Sequence, residues 1–512
     1  MSNRKQKETQ MKFGHLADIH LGHRQYGLNQ REDDMMNTFK ATLQLILQDD
    51  PDAIILPGDL FHSRDLRPKV LEAAEKGLSV VPDDIPVLVS RGNHDENLTP
   101  REVTWLNYLH RRGHIVLLEA DLESESDAAG FEQYDAEDPG DDSGFYDIET
   151  LDGTVRVFGL QWRGARTDTA LEQVATGIRR TAEEYGQPDY TVLLGHFGIE
   201  DEVPALGGNV THAELRDVQE EVDYLALGHI HKRYDASGWI FNPGSPEAHS
   251  TAEAHDDWGH GYYSVELSQA DDEYGGPGQL AHSVTHNSSR RRPFFTIEFD
   301  VTPFDSAGEL EKVFSELVED EQAALEDMLE REEFMFGSDQ REPLLDLRFV
   351  GTLQFDRGSF RVDELAAHAE NACDALYVQT NTSRVTTAEI QELLADLDDD
   401  EVFIDGRLQT AALEKRVFET IAIESEYSEQ SESVATLLGD AHRMAQNGES
   451  TDDIVDVVSN SRRDLFPEAA NDVVLDIEED PFASDEETAD NEKLEADGAD
   501  QDAATVVEGD GE

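Results

Sequence analysis

Six short apolar runs place the tightest limit on how this chain folds. They read "KFGHLAD", "AIILPGD", "PVLVSRG", "VRVFGL", "TVLLGHF" and "YLALGHI", and all lie between Lys12 and about Leu267. Several are apolar at every position, as strands are when helices cover both faces of a sheet. Between them lie longer stretches with helical periodicity, at 30–48, 66–79, 98–112 and 168–185. Strand and helix in alternation predict an α/β layered domain over 11–267.

Outside that domain the pattern changes. Residues 121–149 are acidic and contain Gly and Ser, which predicts a surface insertion. Residues 268–293 are polar and Gly-rich and close on "RRRP", as expected of a linker. Over 294–387 the order is strand "FFTIEFDVT", helix 307–331, strand "PLLDLRFVGTL", helix 362–374 and strand "ALYVQTNTS", which predicts a small α+β domain. C-terminal helices are expected over 388–470, at 387–398, 408–422, 433–446 and 451–464. Residues 471–512 are acidic, carry the single lysine Lys493 and have too few apolar groups to offset ordering entropy, so a disordered tail is expected.

The net charge is −73, from 113 acidic and 40 basic residues. The acidity runs through the strands and helices as well as the tail, and Arg outnumbers Lys. This is the composition of a protein adapted to very high internal salt, where the Debye length falls to about 3 Å and only close contacts count. One cysteine, Cys373, excludes an intrachain disulfide and a multi-cysteine zinc site. No apolar run approaches the ~18 residues of a membrane span, and a cytoplasmic location is expected.

The chemistry gathers at strand ends. In chain order the motifs are "ADIH" (Asp18, His20), "GDLFH" (Asp59, His62), "GNHD" (Asn93, His94), "GHF" (His196) and "GHIH" (His229, His231). Ligands of open α/β sheets bind at the carboxyl ends of strands. Asp-x-His and His-x-His set two side chains on one side of an extended segment. Glycine before the polar residue permits a tight turn and leaves room beside the backbone. Imidazole, carboxylate and amide donors without thiolate suit Mn²⁺, Fe²⁺ or Zn²⁺. A carboxylate such as Asp59 has two oxygens and is able to bridge a pair of ions. Taken singly each motif is unspecific; five in order on successive strand ends are not. His23, His110, His114 and His249 are read as ordinary histidines.

These five motifs, with their order and spacing, resemble the calcineurin-like metallophosphoesterase superfamily over about residues 11–265. Within it, "HLADIHLGHRQYG" and a smaller domain after the catalytic one are similar to the DNA double-strand-break nucleases of the Mre-eleven/SbcD family, and the composition is that of a halophilic archaeal member. The resemblance implies a four-layer β-sandwich flanked by helices, with a capping domain and C-terminal helices. It implies two Mn²⁺ per subunit, one held by Asp18, His20, Asp59 and His231, the other by Asp59, Asn93, His196 and His229. His94 is then the acid that protonates the leaving oxygen, and His62 assists with the phosphate. The implied activity is double-strand 3′–5′ exonuclease and single-strand endonuclease action on DNA ends. The implied partners are a second copy of the chain, packed through helices such as 66–79 and 98–112, and an SMC-like coiled-coil ATPase of the Rad-fifty/SbcC family, bound through 388–470. In "AALEKRVFETIAI", Leu413, Val417 and Ile421 make an amphipathic stripe for that contact or for packing on the chain's own cap. A phosphoprotein phosphatase, a cyclic-nucleotide phosphodiesterase and a DNA-end tether with minor cleavage stay open alternatives, because fold does not set substrate.

Overall fold

The structure is a computed structural model that describes residues 11–96, 103–122, 126–150, 153–200, 202, 209–254, 258–269, 280–329 and 342–387, with 403–404, 407–408, 418, 430–446, 455, 457–459 and 461. Residues 1–391 make up one compact unit and 392–512 a second.

The first unit is built on two six-stranded sheets. Strands β1 (Met11–His15), β2 (Ala53–Pro57), β3 (Val87–Ser90) and β4 (Val116–Leu117) pair in parallel in that order. The second sheet adds β5 (Phe145–Glu149), β6 (Thr154–Gly159), β7 (Tyr190–His196), β8 (Tyr224–Gly228), β9 (Tyr234–Ala236) and β10 (Ile240–Asn242). Its order is β5-β6-β7-β8-β10-β9, with β6, β7, β8 and β10 parallel. β11 (Gly261–Gln269) and β12 (Leu280–Ser288) return to the first sheet, antiparallel on its β1 edge.

Helices α1 (Asn29–Gln48), α2 (Pro68–Leu78) and α3 (Trp105–Arg111) cover the outer face of the first sheet. α1 turns Met35, Phe39, Leu43 and Ile46 inward, the i, i+4, i+8 spacing of an apolar helix stripe. α3 starts at Thr104, whose side chain and that of Asn107 close a reciprocal capping box. Helices α4 (Thr167–Tyr185) and α5 (Arg216–Gln219) cover the second sheet, α4 through Leu171, Val174, Ala175 and Ile178. A third core lies between the sheets, where Ile55, Leu88, Val192, Leu194, Ala226 and Val265 meet. Helix, sheet, sheet, helix is the expected four-layer order, and the central strands are fully buried because they are covered on both faces.

The following segment contains β13 (Phe294–Asp300), α6 (Ala307–Leu329), β14 (Leu344–Leu353), α7 (Val362–Ala372) and β15 (Tyr377–Thr387). The three strands are parallel, and α6 packs Leu310, Phe314 and Val318 on them. In the second unit, β16 (Phe403–Ile404) pairs antiparallel with β17 (Arg407–Leu408), and α8 spans Ser431–Gln446.

Three segments differ from the sequence reading. Residues 280–288, expected within a linker, form β12; its side chains alternate polar and exposed, so the strand is held by its backbone ladder to β11 and carries little apolar signal. Residues 121–149, expected as a surface insertion, contribute buried Ala129, Phe131 and Phe145 and the edge strand β5. The acidic residues between those anchors mask them. Leu408, expected to open a helix, lies in β17. The expected helix at 387–398, most of those at 408–422 and 451–464, and the tail 471–512 lie outside the described residues.

A buried ion cluster joins the segment of β13–β15 to the layered domain. Asp34 of α1 accepts from Arg31 at 2.6 Å and from Arg292 at 2.6 and 2.9 Å. Glu247 accepts from Arg31 at 3.1 Å and from the Arg292 backbone N–H at 3.1 Å, and Arg292 donates to the Glu342 carbonyl at 2.6 Å. Arg31 is fully buried and Arg292 nearly so. "RRRP" therefore holds a core arginine. Asp34→Ala strands two buried guanidinium groups, and a loss of about 3–5 kcal/mol is expected in denaturant unfolding. A loss below about 1 kcal/mol would show that the cluster does not hold the unit together.

Candidate metal centre

The parallel strands β1, β2 and β3 and the parallel strands β7 and β8 all end at one edge of the sandwich. Every residue singled out at a strand end lies there. The chain turns so sharply that Asp18, His20, Asp59 and His229 have positive φ, at 55°, 50°, 54° and 88°. Non-glycine residues rarely adopt this conformation, and such strain clusters at functional sites. The turns are tied together by their backbones. Ile19 and His20 N–H groups donate to the Asp59 carbonyl at 2.9 and 3.0 Å, and the His62 N–H donates to Leu21 O at 3.0 Å.

The side chains form one connected array. The Asp59 Oδ2 lies 3.4 Å from His20 Nε2 and 3.2 Å from His196 Nε2, and its Oδ1 accepts the His94 backbone N–H at 2.9 Å. Asn93 Oδ1 faces His196 Nε2 at 3.0 Å and His229 Nδ1 at 3.1 Å. Asp18 accepts the His229 backbone N–H at 2.9 Å. His231 Nε2 lies 3.2 Å from His20 Nε2, and His62 Nδ1 lies 3.3 Å from His20 Nδ1. His94 turns aside, its Nδ1–H donating to the His62 carbonyl at 2.8 Å. Donor atoms of Asp18, Asp59 and His196 lie within 4.8 Å of one another, as do those of His20, His62 and His94 and those of His20, His231 and His249.

Burial sets the charge state. It lowers His20 well below the ordinary histidine range, assisted by His249 and His231, and holds His62 and His229 down at about 4. Burial raises the Asp18 carboxyl, whereas for Asp59 it is outweighed by His196 and the His94 N–H, which hold that carboxyl low. His196 is raised to about 9 because the charges of Asp59 and Asp18 outweigh its burial. Inward-facing carboxylates, an amide oxygen and imidazole nitrogens fit a hard-to-borderline divalent cation, which takes the place of the proton on a raised imidazole such as His196.

Four further residues belong to this edge. Buried Asp95 accepts N–H groups of Phe61 at 3.0 Å, Gly92 at 3.1 Å and Leu60 at 3.3 Å, and so locks two of the turns. Glu253 lies 3.2 Å from His231 Nδ1. His23 meets His62 at 3.1 Å, and the His249 ring lies 4.4 Å from that of His231 and 4.7 Å from that of His20. His23 and His249 were expected to be ordinary. The spacing of His23, three residues after His20, was the available signal; Glu253 and His249 carry none. His110 is ordinary, its ring satisfied by the Leu117 N–H and the Pro139 carbonyl.

The site glycines are explained by the neighbours they admit. A Cβ on Gly58 (φ 94°) would overlap the His196 ring, and one on Gly92 would overlap the Asp59 carboxylate and backbone. The room beside the backbone is filled by side chains of the site. Gly92→Ala is expected to displace Asp59 and lower divalent-ion affinity at least about tenfold, read by calorimetric titration, with the far-ultraviolet spectrum unchanged. Unaltered affinity would show that Asp59 does not depend on this contact.

Comparison with known proteins gives the same placement. Residues 11–233 match the family model described as calcineurin-like phosphoesterase. The DNA double-strand break repair protein Mre11 of Archaeoglobus fulgidus is 27% identical over 249 residues, covering 48% of this chain and 52% of its own length. The protein of the same name from Methanocaldococcus jannaschii is 29% identical over 275 residues, 51% of this chain and 64% of its own. The chain thus spans about half to two thirds of the length of these relatives. The calcineurin-like phosphoesterase YfkN of Bacillus subtilis, a solved structure, aligns over 55% of this chain and 91% of its own at 13% identity and a TM-score of 0.35. Layer order and family match coincide, and residues 11–233 have the calcineurin-like phosphoesterase fold.

Proposed function

We propose that this chain is a two-metal phosphodiesterase that cleaves DNA, a nuclease working on the ends of double-strand breaks. The observation that carries it is the placement of Asp59 Oδ2 between His20 and His196, with Asn93 beside His196 and His229 and with His231 beside His20. The calcineurin-like fold implies a divalent pair. On this reading Asp18, His20, Asp59 and His231 hold one ion, Asp59, Asn93, His196 and His229 the other, and Mn²⁺ is the metal proposed. The curated relatives support DNA as substrate through the double-strand break repair in their names.

When bound, the pair supplies Lewis acidity to phosphoryl oxygens and makes a water acidic enough to act as nucleophile near neutral pH. The chain's own groups do the rest. Asn93 contributes a neutral oxygen, which leaves positive charge available to the phosphate. His94 has its Nδ1–H fixed on the His62 carbonyl, which leaves Nε2 as the free nitrogen. As the imidazolium, protonated on both nitrogens, the ring gives its Nε2 proton to the leaving 3′ or 5′ oxygen and is left neutral, with Nδ1–H still on the carbonyl. General acid catalysis of this kind contributes about 10²–10⁴-fold. His62, adjoining both His20 and His94, positions the acid and assists with the phosphate.

The test uses labelled linear duplex, labelled single strands and a cyclic dinucleotide with Mn²⁺ in molar KCl. DNA cleavage is expected, with His94→Ala losing about 10²–10⁴-fold while binding two ions and DNA normally. Loss of metal in His94→Ala would refute its role as acid, and turnover of the cyclic dinucleotide alone would reassign the substrate. Active protein in molar salt that unfolds in dilute buffer would support the halophilic composition.

The proposed assembly is a homodimer with an SMC-like coiled-coil ATPase bound through 388–470, in the cytoplasm. Among the described residues no helix is long and apolar enough to cross a membrane. Deleting 405–470 is expected to abolish co-purification with the ATPase and to leave metal binding intact; unchanged co-purification would place the contact elsewhere.

A further inference from the structure

The two-ion arrangement leaves His249 without a task, yet the chain delivers it to the centre. It follows β10 on the loop "SPEAHSTAE", and its backbone N–H donates to Glu253 Oε2 at 2.9 Å. The other oxygen of the same carboxylate lies 3.2 Å from Nδ1 of His231. Glu253 therefore fixes two things at once, the outward nitrogen of His231 and the backbone that carries His249. The loop is closed further by the Glu253 N–H donating to Ser250 O at 3.2 Å and by the His260 ring against the Glu253 carbonyl at 2.8 Å.

The ring that this loop presents is placed as a donor. Donor nitrogens of His20, His231 and His249 lie within 4.8 Å of one another. Nε2 of His249 is buried and, among the described residues, has no hydrogen-bond partner. A buried imidazole nitrogen without a partner is costly unless something else meets its lone pair. His20 and His231 each bring a ring nitrogen within 4.8 Å of one of His249, close enough for one cation to meet all three rings.

Resting on the two-metal reading above, we propose that His249 is an additional ligand of the ion held by His20 and His231. Glu253 is its positioning residue. The consequence is an unequal pair. The ion beside Asn93 sees an amide oxygen and two imidazoles, whereas the ion beside His20 gains a third imidazole. Imidazole-rich sites favour Co²⁺ and Zn²⁺ over Mn²⁺, which prefers oxygen. The ion at the His249 side is therefore the more tightly held of the two when Co²⁺ or Zn²⁺ is supplied.

The test is a Co²⁺ titration of the full chain, read by calorimetry and by visible absorption, with Mn²⁺ in parallel. His249→Phe keeps the ring volume and removes the donor; His249→Ala removes both; His114→Phe is the control. Two Co²⁺ are expected in the unaltered chain. In both His249 variants one dissociation constant is expected to rise about tenfold or more, with a changed Co²⁺ absorption band, while the other constant stays put and the Mn²⁺ constants move less. Two ions bound with unchanged constants and spectra in both variants would overturn this inference and leave the two-metal reading standing. Equal weakening of both ions would overturn it too, since that marks a scaffold and not a ligand. An unaltered chain that binds no divalent pair would overturn the two-metal reading, and this inference with it.

Discussion

Asp59 is the residue on which the site closes. Its backbone is held at φ 54°, beyond the end of a fully buried strand. Its carbonyl accepts two N–H groups from the turn after β1, and its carboxylate accepts the N–H of His94 from the turn after β3. The same carboxylate faces histidines from both sheets. Strain of about 1–3 kcal/mol per such backbone position persists only because the layers on either side are packed to the last strand residue. Asp95 reinforces the arrangement from below, and the two site glycines keep the backbone clear of it. A rigid floor of this kind holds donor atoms in place before any ligand arrives, which is how preorganised sites avoid reorganisation during reaction.

Much of this was legible because strand-end chemistry leaves a local mark. An apolar run followed at once by Ala-Asp, Gly-Asp, Gly-Asn-His or Gly-His couples a fold signal to a site signal within a few residues, and all nine residues inferred in that way meet in the structure. The residues that escaped were those without that coupling. His249 and Glu253 come from an irregular loop after β10, where no periodicity reports direction. Asp95 acts through backbone N–H groups, which no side-chain pattern announces. β12 has an almost wholly polar sequence because its second face is solvent and its stability comes from nine paired residues on β11. Phe131 and Phe145 were hidden by the acidic residues around them.

Net charge conceals buried pairs in a similar manner. An excess of 73 negative charges reads as a surface that repels a polyanion. Arg292, expected within a polar linker, is instead buried against Asp34 and Glu247. Replacing such a cluster by apolar groups often stabilises a protein, so its presence is weak testimony for stability and better testimony for a specified geometry. Here the cluster lies where the segment of β13–β15 meets the layered domain. Tyr26, itself at positive φ three residues past His23, stacks on Tyr377 of β15 with ring centroids 4.1 Å apart. The site edge and the cap are thus connected twice, once by buried charge and once by an aromatic pair.

The adjacency of Asn93 and His94 shows how little sequence distance says about role. One residue apart, their side chains part company, Asn93 toward His196 and His229, and His94 toward His62. What separates them is the turn at the end of β3, pinned by Asp95 through the Gly92 N–H and by Asp59 through the His94 N–H. A single residue of slippage would exchange an amide for an imidazole beside His196 and remove the Asn93 oxygen from the array. On the proposed roles, the acid would then face the wrong group. The divergence of the two side chains is consequently a property of two carboxylates that hold backbone, and neither of them is visible in the pair of residues they separate.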